Sequence, residues 1–132
     1  MEILCSYCSA AKRLDEGPLP AIERYRSERL RALWRRGAAS GTPLHILSGQ
    51  FGLLTTASPI PWYDHLLDAR EVDAMAARVA QDLRVLGVTA VRYHTASPEE
   101  APDTAPYLAV MRAACAEAGV ELTVVELEGD PE

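Results

Sequence analysis

Residues Ile46-Leu47-Ser48-Gly49-Gln50-Phe51-Gly52-Leu53-Leu54 decide how this 132-residue chain is read. Leu44, Ile46 and Leu47 form a short apolar run of the kind that makes a buried strand. The run stops at Ser48-Gly49-Gln50-Phe51-Gly52, where two glycines bracket a polar and an aromatic residue. A strand entering such a loop implies a sharp bend, with torsions or clearances that side chains would obstruct. Backbone N–H groups in a bend of that kind can line a small anion or carbonyl site. The same glycines would equally serve a plain tight exit from a strand. Gln50 either reads a base edge through its amide or stands in an exposed turn. Phe51, the single phenylalanine, reads as packing inward rather than stacking on a ligand.

Ten residues beyond Phe51 comes Pro61-Trp62-Tyr63-Asp64-His65, stiffened by Pro59 and Pro61. An aromatic pair beside a carboxylate suits stacking on a flat ring while accepting its N–H. Asp64 would be that acceptor, or a general base in a pocket dry enough to raise its pKa. The plainer alternative has Trp62 and Tyr63 covering the edge of the core, with Asp64 capping the next helix. His65 reads as a surface residue.

Outward from these two segments, apolar periodicity places the rest. Glu2–Tyr7 is a first strand, and residues 8–19 are a loop broken by Gly17 and Pro18. A helix is expected from Pro20 or Ala21 to Arg36, ending at Gly37. Its wheel puts Ile22, Tyr25, Leu30, Leu33 and Trp34 on one face, and Arg24, Arg31 and Arg35 opposite. Those arginines form either a phosphate-holding ridge or a solvated face balanced by Glu23 and Glu28. Leu44–Leu47 is the second strand. Asp68 and Glu71 have capping-box spacing before a helix that Gly87 ends. Val88–His94 is the third strand. Thr104 is expected to cap a last helix, with Pro106 in its first turn and Gly119 at its end. Its inner stripe is Tyr107, Leu108, Met111, Ala114, Cys115 and Ala118. Val120–Leu127 is the fourth strand, and Glu128–Glu132 a polar tail.

Strands alternating with helices call for a parallel sheet covered on both faces. The expected architecture is α/β: one domain over residues 1–132, three layers, and a mostly parallel four-stranded sheet with helices on both faces. In such sheets the ligand crevice lies beyond the carboxyl ends of the strands. Cys5-Ser6, Ser48-Gly49-Gln50 and Tyr93-His94-Thr95 should converge there. Ser6 thereby becomes a ligand-binding candidate. His94 is a candidate acid, base or donor, or simply a strand-end histidine bonded to a loop.

These motifs also carry a resemblance. Leu47–Leu54 resembles the L-S-[AG]-x-[YF]-G-[LV]-L segment of the YaaA-like proteins and of a related small family of unknown function. There the segment is followed by an I-x-P-Y-D or P-Y-R motif. Here Ile60-Pro61-Trp62-Tyr63-Asp64 stands in that place, with Trp62 where the family has its proline. The small family opens with a C-S-x-x-K-like stretch and then an L-Y-x-S element starting a helix. This chain offers Cys5-Ser6 with Lys12 further on, then Arg24-Tyr25-Arg26-Ser27. The resemblance covers the first half of the chain. It implies an α/β fold related to the sheets of the uracil-DNA glycosylase group. It also implies a link to oxidative-stress defence and DNA binding, and base-modifying chemistry by analogy.

Composition narrows the field. The chain is 48% apolar and 24% charged, which is the balance of a globular protein. No apolar run reaches membrane-spanning length and no signal-peptide pattern follows Met1, so a cytoplasmic protein with no membrane partner is expected. Three cysteines make no disulfide framework. Cys5-x-x-Cys8 lacks the following helix N-terminus that a redox dithiol needs. With Cys115 far along the chain, only His45, His65 and His94 remain to complete a zinc site, so no metal is assigned. No cofactor is assigned either, because dinucleotide, P-loop, zincin and nucleophile-elbow motifs are absent.

Residues 12–36 hold eight Lys or Arg against four acids, a net +4, while residues 37–132 hold five against fourteen, a net −9. Such an acidic body is poorly suited to nonspecific duplex binding. The expected ligand is a nucleobase- or nucleoside-like molecule, or single-stranded nucleic acid, at the strand ends. Ser48, Gly49, Gln50, Phe51 and Gly52 would bind it, Trp62 and Tyr63 stack on it, and Asp64 and His94 act on it. The alternative is a non-catalytic scaffold domain that docks through its basic first helix.

Overall fold

The computed structural model describes residues 1–127, so the tail read over Glu128–Glu132 lies outside the described residues. β1 (Glu2–Tyr7) is the centre of a five-stranded sheet. It pairs in parallel with β3 (Leu44–Ser48) on one side and β6 (Ala90–Thr95) on the other. β7 (Glu121–Glu126) continues the parallel run beside β6. The register sets Tyr7 opposite Leu47 and Ser6 opposite His94, which brings three carboxyl ends to one edge as expected.

The sheet has one strand more than the four expected. β4 (Gly52–Thr55) turns back antiparallel on β3, with Ser48 paired to Gly52 and Leu47 to Leu53. Two local features make that turn. The Ser48 hydroxyl accepts the N–H groups of Gln50 (3.1 Å) and Phe51 (3.0 Å). Gly52 sits at φ 76°, a left-handed torsion that a side chain would strain. A second, two-stranded ribbon joins β2 (Leu19–Pro20) to β5 (Pro59–Ile60).

The helix expected from residue 20 to 36 is two helices. α1 (Ala21–Arg24) is a single turn, and α2 (Glu28–Ser40) starts afresh after an extended Tyr25. Ser27 caps α2 by accepting from Leu30 N–H at 3.1 Å. The loop after β1 holds the interruption open: Arg13 N–H bonds Arg24 O, and Arg26 N–H bonds Ala11 O. Gly37 does not end α2. It lies within the helix, and Gly41 at φ 74° ends it instead.

The later helices follow their sequence signals. Asp68 and Glu71 form the expected capping box ahead of α3 (Val72–Leu86), and Gly87 closes it at φ 72°. α4 (Ala105–Ala118) ends at Gly119, φ 69°. Thr104 does not cap it, because its hydroxyl donates to Ala101 O at 2.7 Å within a 3₁₀ turn, Pro102–Thr104.

Alternation along β1 divides the core. Ile3, Cys5 and Tyr7 join Val91 and Tyr93 under α3 and α4, with Val79, Leu83, Val110 and Met111. Leu4 joins Leu44, Ile46 and Leu54 under α1 and α2, with Ile22, Leu30 and Leu33. Each fully buried Leu or Ile removes enough apolar surface from water to contribute about 2 kcal/mol. Among the described residues no helix is long and apolar enough to cross a membrane.

Candidate functional site: a tyrosine-walled cleft at the strand ends

A cleft of about 130 Å³ opens where β1 ends. Its wall runs from Tyr7 through Cys8, Ser9 and Ala10 to Lys12. Asp64, His65, Leu66, Asp103, Thr104 and Tyr107 complete its lining. The rings of Tyr7 and Tyr107 stand 6.3 Å apart at 47°. The Lys12 ammonium lies 4.5 Å from the centre of the Tyr63 ring, a cation–π contact at the rim.

The glycine corner buttresses this cleft without lining it. Gly49 passes so close to Tyr107 that a Cβ there would lie 2.8 Å from its hydroxyl and 3.1 Å from Leu67 N. That clearance allows Leu67 N–H to donate to the Tyr107 hydroxyl at 3.1 Å. Ser48 is fully buried and hydrogen-bonds the Tyr63 hydroxyl at 2.9 Å. Its oxygen already accepts two N–H groups, so its own proton goes to Tyr63, which in turn bonds Tyr25. Burial pushes the Tyr25 and Tyr63 phenols well above their ordinary pKa, so both remain protonated donors.

Tyr63→Phe should therefore leave the buried Ser48 and Tyr25 hydroxyls each short of a partner. The expected loss is about 2 kcal/mol of unfolding free energy, measured in urea. Unchanged stability would mean that this hydroxyl chain contributes nothing to holding the corner.

The remaining expected site residues are distributed as follows. Asp64 reaches the cleft, is exposed, and makes no hydrogen bond to another described residue. Trp62 is half exposed and outside the cleft wall, whereas Tyr63 is buried; they do not form one stacking surface. Gln50 is exposed, and its carbonyl accepts from Arg78 at 3.4 Å. Phe51 packs edge-on to Tyr63 at 5.0 Å, which agrees with an inward role. Gly52 lies against the Arg78 side chain. The N–H groups of Gln50 and Phe51 are held by Ser48, so they are not presented to a guest.

Ser6 and His94 also differ from expectation. Ser6 is fully buried, donating to His94 O and accepting from Arg29 at 2.7 Å. His94 is 1% exposed, and neither ring nitrogen has a hydrogen-bond partner among the described residues. Burial, then Arg36 and Arg92, lowers its pKa. Because Ser6 and His94 pair across β1 and β6, both side chains sit on the face opposite Cys5 and Tyr93, away from the cleft.

The arginine ridge is corrected too. Arg24 is wholly buried, and its guanidinium donates to the carbonyls of Arg13 (2.7 Å), Asp15 (3.1 Å), Gly17 and Ile60 (3.3 Å). Arg31 pairs with Glu28 at 3.6 Å and Arg35 is exposed, so a solvated face describes these two. Cys5 and Cys115 are buried, and burial raises both thiols, Cys115 to about 11. No group of His, Cys, Asp and Glu among the described residues has the geometry to hold a metal ion.

No protein-family model, curated protein or solved structure matches the chain. Function has to be read from the cleft's own groups.

Several of those groups were not singled out by sequence. Tyr7 and Tyr107 look like ordinary core positions of a strand and a helix stripe. Arg29 was missed as well. It donates to the Tyr7 and Cys8 carbonyls at 2.9 and 3.2 Å and lies 3.8 Å over the Tyr7 ring, fixing the end of β1. The available signal was its spacing: Arg29 lies one helical turn before Leu33, on the inward stripe of α2.

Proposed function

We propose that this chain is a YaaA-like α/β protein that binds a nucleobase-like ligand, free or within single-stranded nucleic acid, at the carboxyl ends of its strands. The observation that carries the reading is the cleft itself, with two tyrosine rings, one ammonium and carboxylates that bond to no other described residue around a space for a small molecule. Tyrosine faces stack on any base, and a carboxylate accepts the N–H groups that bases carry. The two core clusters, one under α1 and α2 and one under α3 and α4, support the three-layer arrangement expected from the alternation of strands and helices. The same resemblance supports a role in oxidative-stress defence. Of the two residues proposed to act on the ligand, Asp64 has access to the cleft. Any water placed at a glycosidic carbon would be held there by Asp64 rather than His94.

Calorimetric titration with nucleobases, nucleosides and short single strands tests this reading. Asp64→Asn keeps the shape of the residue and should weaken binding about tenfold, because one charge-assisted hydrogen bond is lost. Absence of heat and of any rise in melting temperature with every such ligand would refute it.

A second reading has its own observation. Trp34 on α2 is 44% exposed and lines a shallow groove of about 340 Å³ with Gly37, Pro43, Leu44 and His45, along the helix from exposed Arg35. That favours a docking role for the basic helix. Arg31→Glu with Arg35→Glu would abolish such docking and leave nucleobase binding intact.

A further inference from the structure

The groove beside Trp34 combines an apolar seat, an unsatisfied polar group and a positive wall, and together these define an occupant. Trp34 is 44% exposed, and an indole half in water beside a concave surface is the kind of side chain that anchors protein interfaces. The groove beneath it is lined by small and aliphatic residues, Gly37, Ala38, Gly41, Pro43 and Leu44. None of its lining residues is acidic.

His45 supplies the polar group. It lines the groove and is 5% exposed. Its Nδ1 is sealed without a hydrogen-bond partner among the described residues. Nε2 has no such partner either, but it is not sealed, so the open nitrogen of this ring meets the groove. A native fold rarely leaves a buried side chain in that condition unless something else completes it. Burial lowers the pKa of His45, so the ring stays neutral, with one nitrogen donating and the other accepting. A neutral imidazole suits a peptide N–H or C=O and offers a phosphate no charge.

The charge stands on α2. Arg31 lies one turn before Trp34 and Arg35 one turn before Ala38, which places both along the helix that walls the groove. Arg35 is exposed and bonds to no other described residue. Arg31 holds only Glu28, at 3.6 Å, and that glutamate side chain is 81% exposed. So open a pair contributes little and yields to a better-placed carboxylate.

These features separate the possible guests. A nucleic-acid strand draws its affinity from many neutralised phosphates, whereas here two guanidiniums stand on a chain of net charge −6. A second copy docked groove to groove would set the α2 arginines against their own counterparts. An acidic segment with one apolar side chain meets every group: carboxylates for the arginines, an aliphatic side chain for the indole, a main-chain amide for His45. Resting on the docking reading above, we infer that the Trp34 groove takes an acidic peptide segment of a partner protein, its apolar side chain seated against Trp34 and its carboxylates on Arg31 and Arg35.

Fluorescence anisotropy of labelled synthetic probes with the intact chain tests the assignment. The probes are a leucine flanked by glutamates, the same leucine flanked by lysines, a serine in the glutamate frame, and an oligothymidylate of matching length. The glutamate–leucine peptide should bind with a Kd below about 100 μM, and at least about tenfold tighter than each of the others. Added salt should weaken it. Trp34→Ala should weaken it about tenfold, and Arg31→Glu with Arg35→Glu by more; thermal melting of each variant checks folding. Equal binding of the glutamate and lysine frames, equal binding of leucine and serine, or a preference for the oligothymidylate overturns the acidic-peptide assignment and leaves the docking reading standing. Binding that survives both sets of substitutions places the peptide elsewhere and overturns both. Binding of no probe also overturns both.

Discussion

Arg24→Leu should lower the unfolding free energy by about 3 kcal/mol, moving the melting temperature down by roughly 10 °C. Leucine fills much of the volume but donates nothing. The carbonyls of Arg13, Asp15, Gly17 and Ile60 would then lose a charged donor that is itself wholly buried. Arg24→Lys should recover less than half of the loss. An ammonium on a flexible stem cannot reproduce the planar fork that reaches several carbonyls at once. Three of those carbonyls, of Arg13, Asp15 and Gly17, belong to the loop that carries Ala10 and Lys12 to the cleft, so ligand binding should weaken in both variants. Chemical denaturation of the three proteins measures the difference. Arg24→Leu within about 0.5 kcal/mol of the parent would show that the buried guanidinium does not hold that loop.

Gly37→Ala is the second large effect, and its sign opposes helix propensity. Alanine in a helix interior is ordinarily favoured over glycine by about 1 kcal/mol. At this position a Cβ would lie 2.3 Å from the Thr42 carbonyl oxygen, with Leu4 Cδ1 behind it at 3.4 Å. The obstacle is backbone, and Thr42 is itself fixed by its N–H bond to Gly37 O at 2.9 Å. Relief requires the chain entering β3 to shift, so a loss of about 3 kcal/mol is expected. Gly41→Ala is the informative comparison. No described residue lies within 4 Å of its Cβ position, but the left-handed φ of 74° alone should cost about 1 kcal/mol. A Gly37→Ala protein more stable than the parent would mean that the α2–β3 connection yields easily.

These two residues also mark where sequence reasoning stops. Local signals carried well: the capping box at Asp68 and Glu71 and the closing glycines at 87 and 119 depend on neighbours in the chain. The wheel drawn through residues 20 to 36 assumed one continuous helix, and the extended Tyr25 resets its phase. Arg24 consequently turned from the outer face to the interior. Gly37 had the composition of a stop signal, while its real role, close approach of the next loop, involves a contact that no periodicity encodes. β4 was hidden because Leu53-Leu54 is too short a run to alternate, and its pairing depends on the Ser48 turn.

The site was legible in the same uneven way. Asp64 announced itself beside aromatic residues and does reach the cleft. Tyr7 and Tyr107 did not, because a tyrosine in an apolar pattern looks like core until the lining of the cleft is seen. His94 sat at the right strand end, yet the parity of β6 turned it to the other face of the sheet.

The outer borders of the sheet bear on how the chain behaves at high concentration. β7 presents exposed Glu121 and Glu126, so a second copy aligned on that border would bring carboxylates against carboxylates. β4 is only four residues long, and the Thr55 amide is already bonded to the Ser58 hydroxyl at 3.0 Å. Among the described residues, neither border offers the long, neutral ladder of unpaired amides from which fibrils and runaway assembly grow.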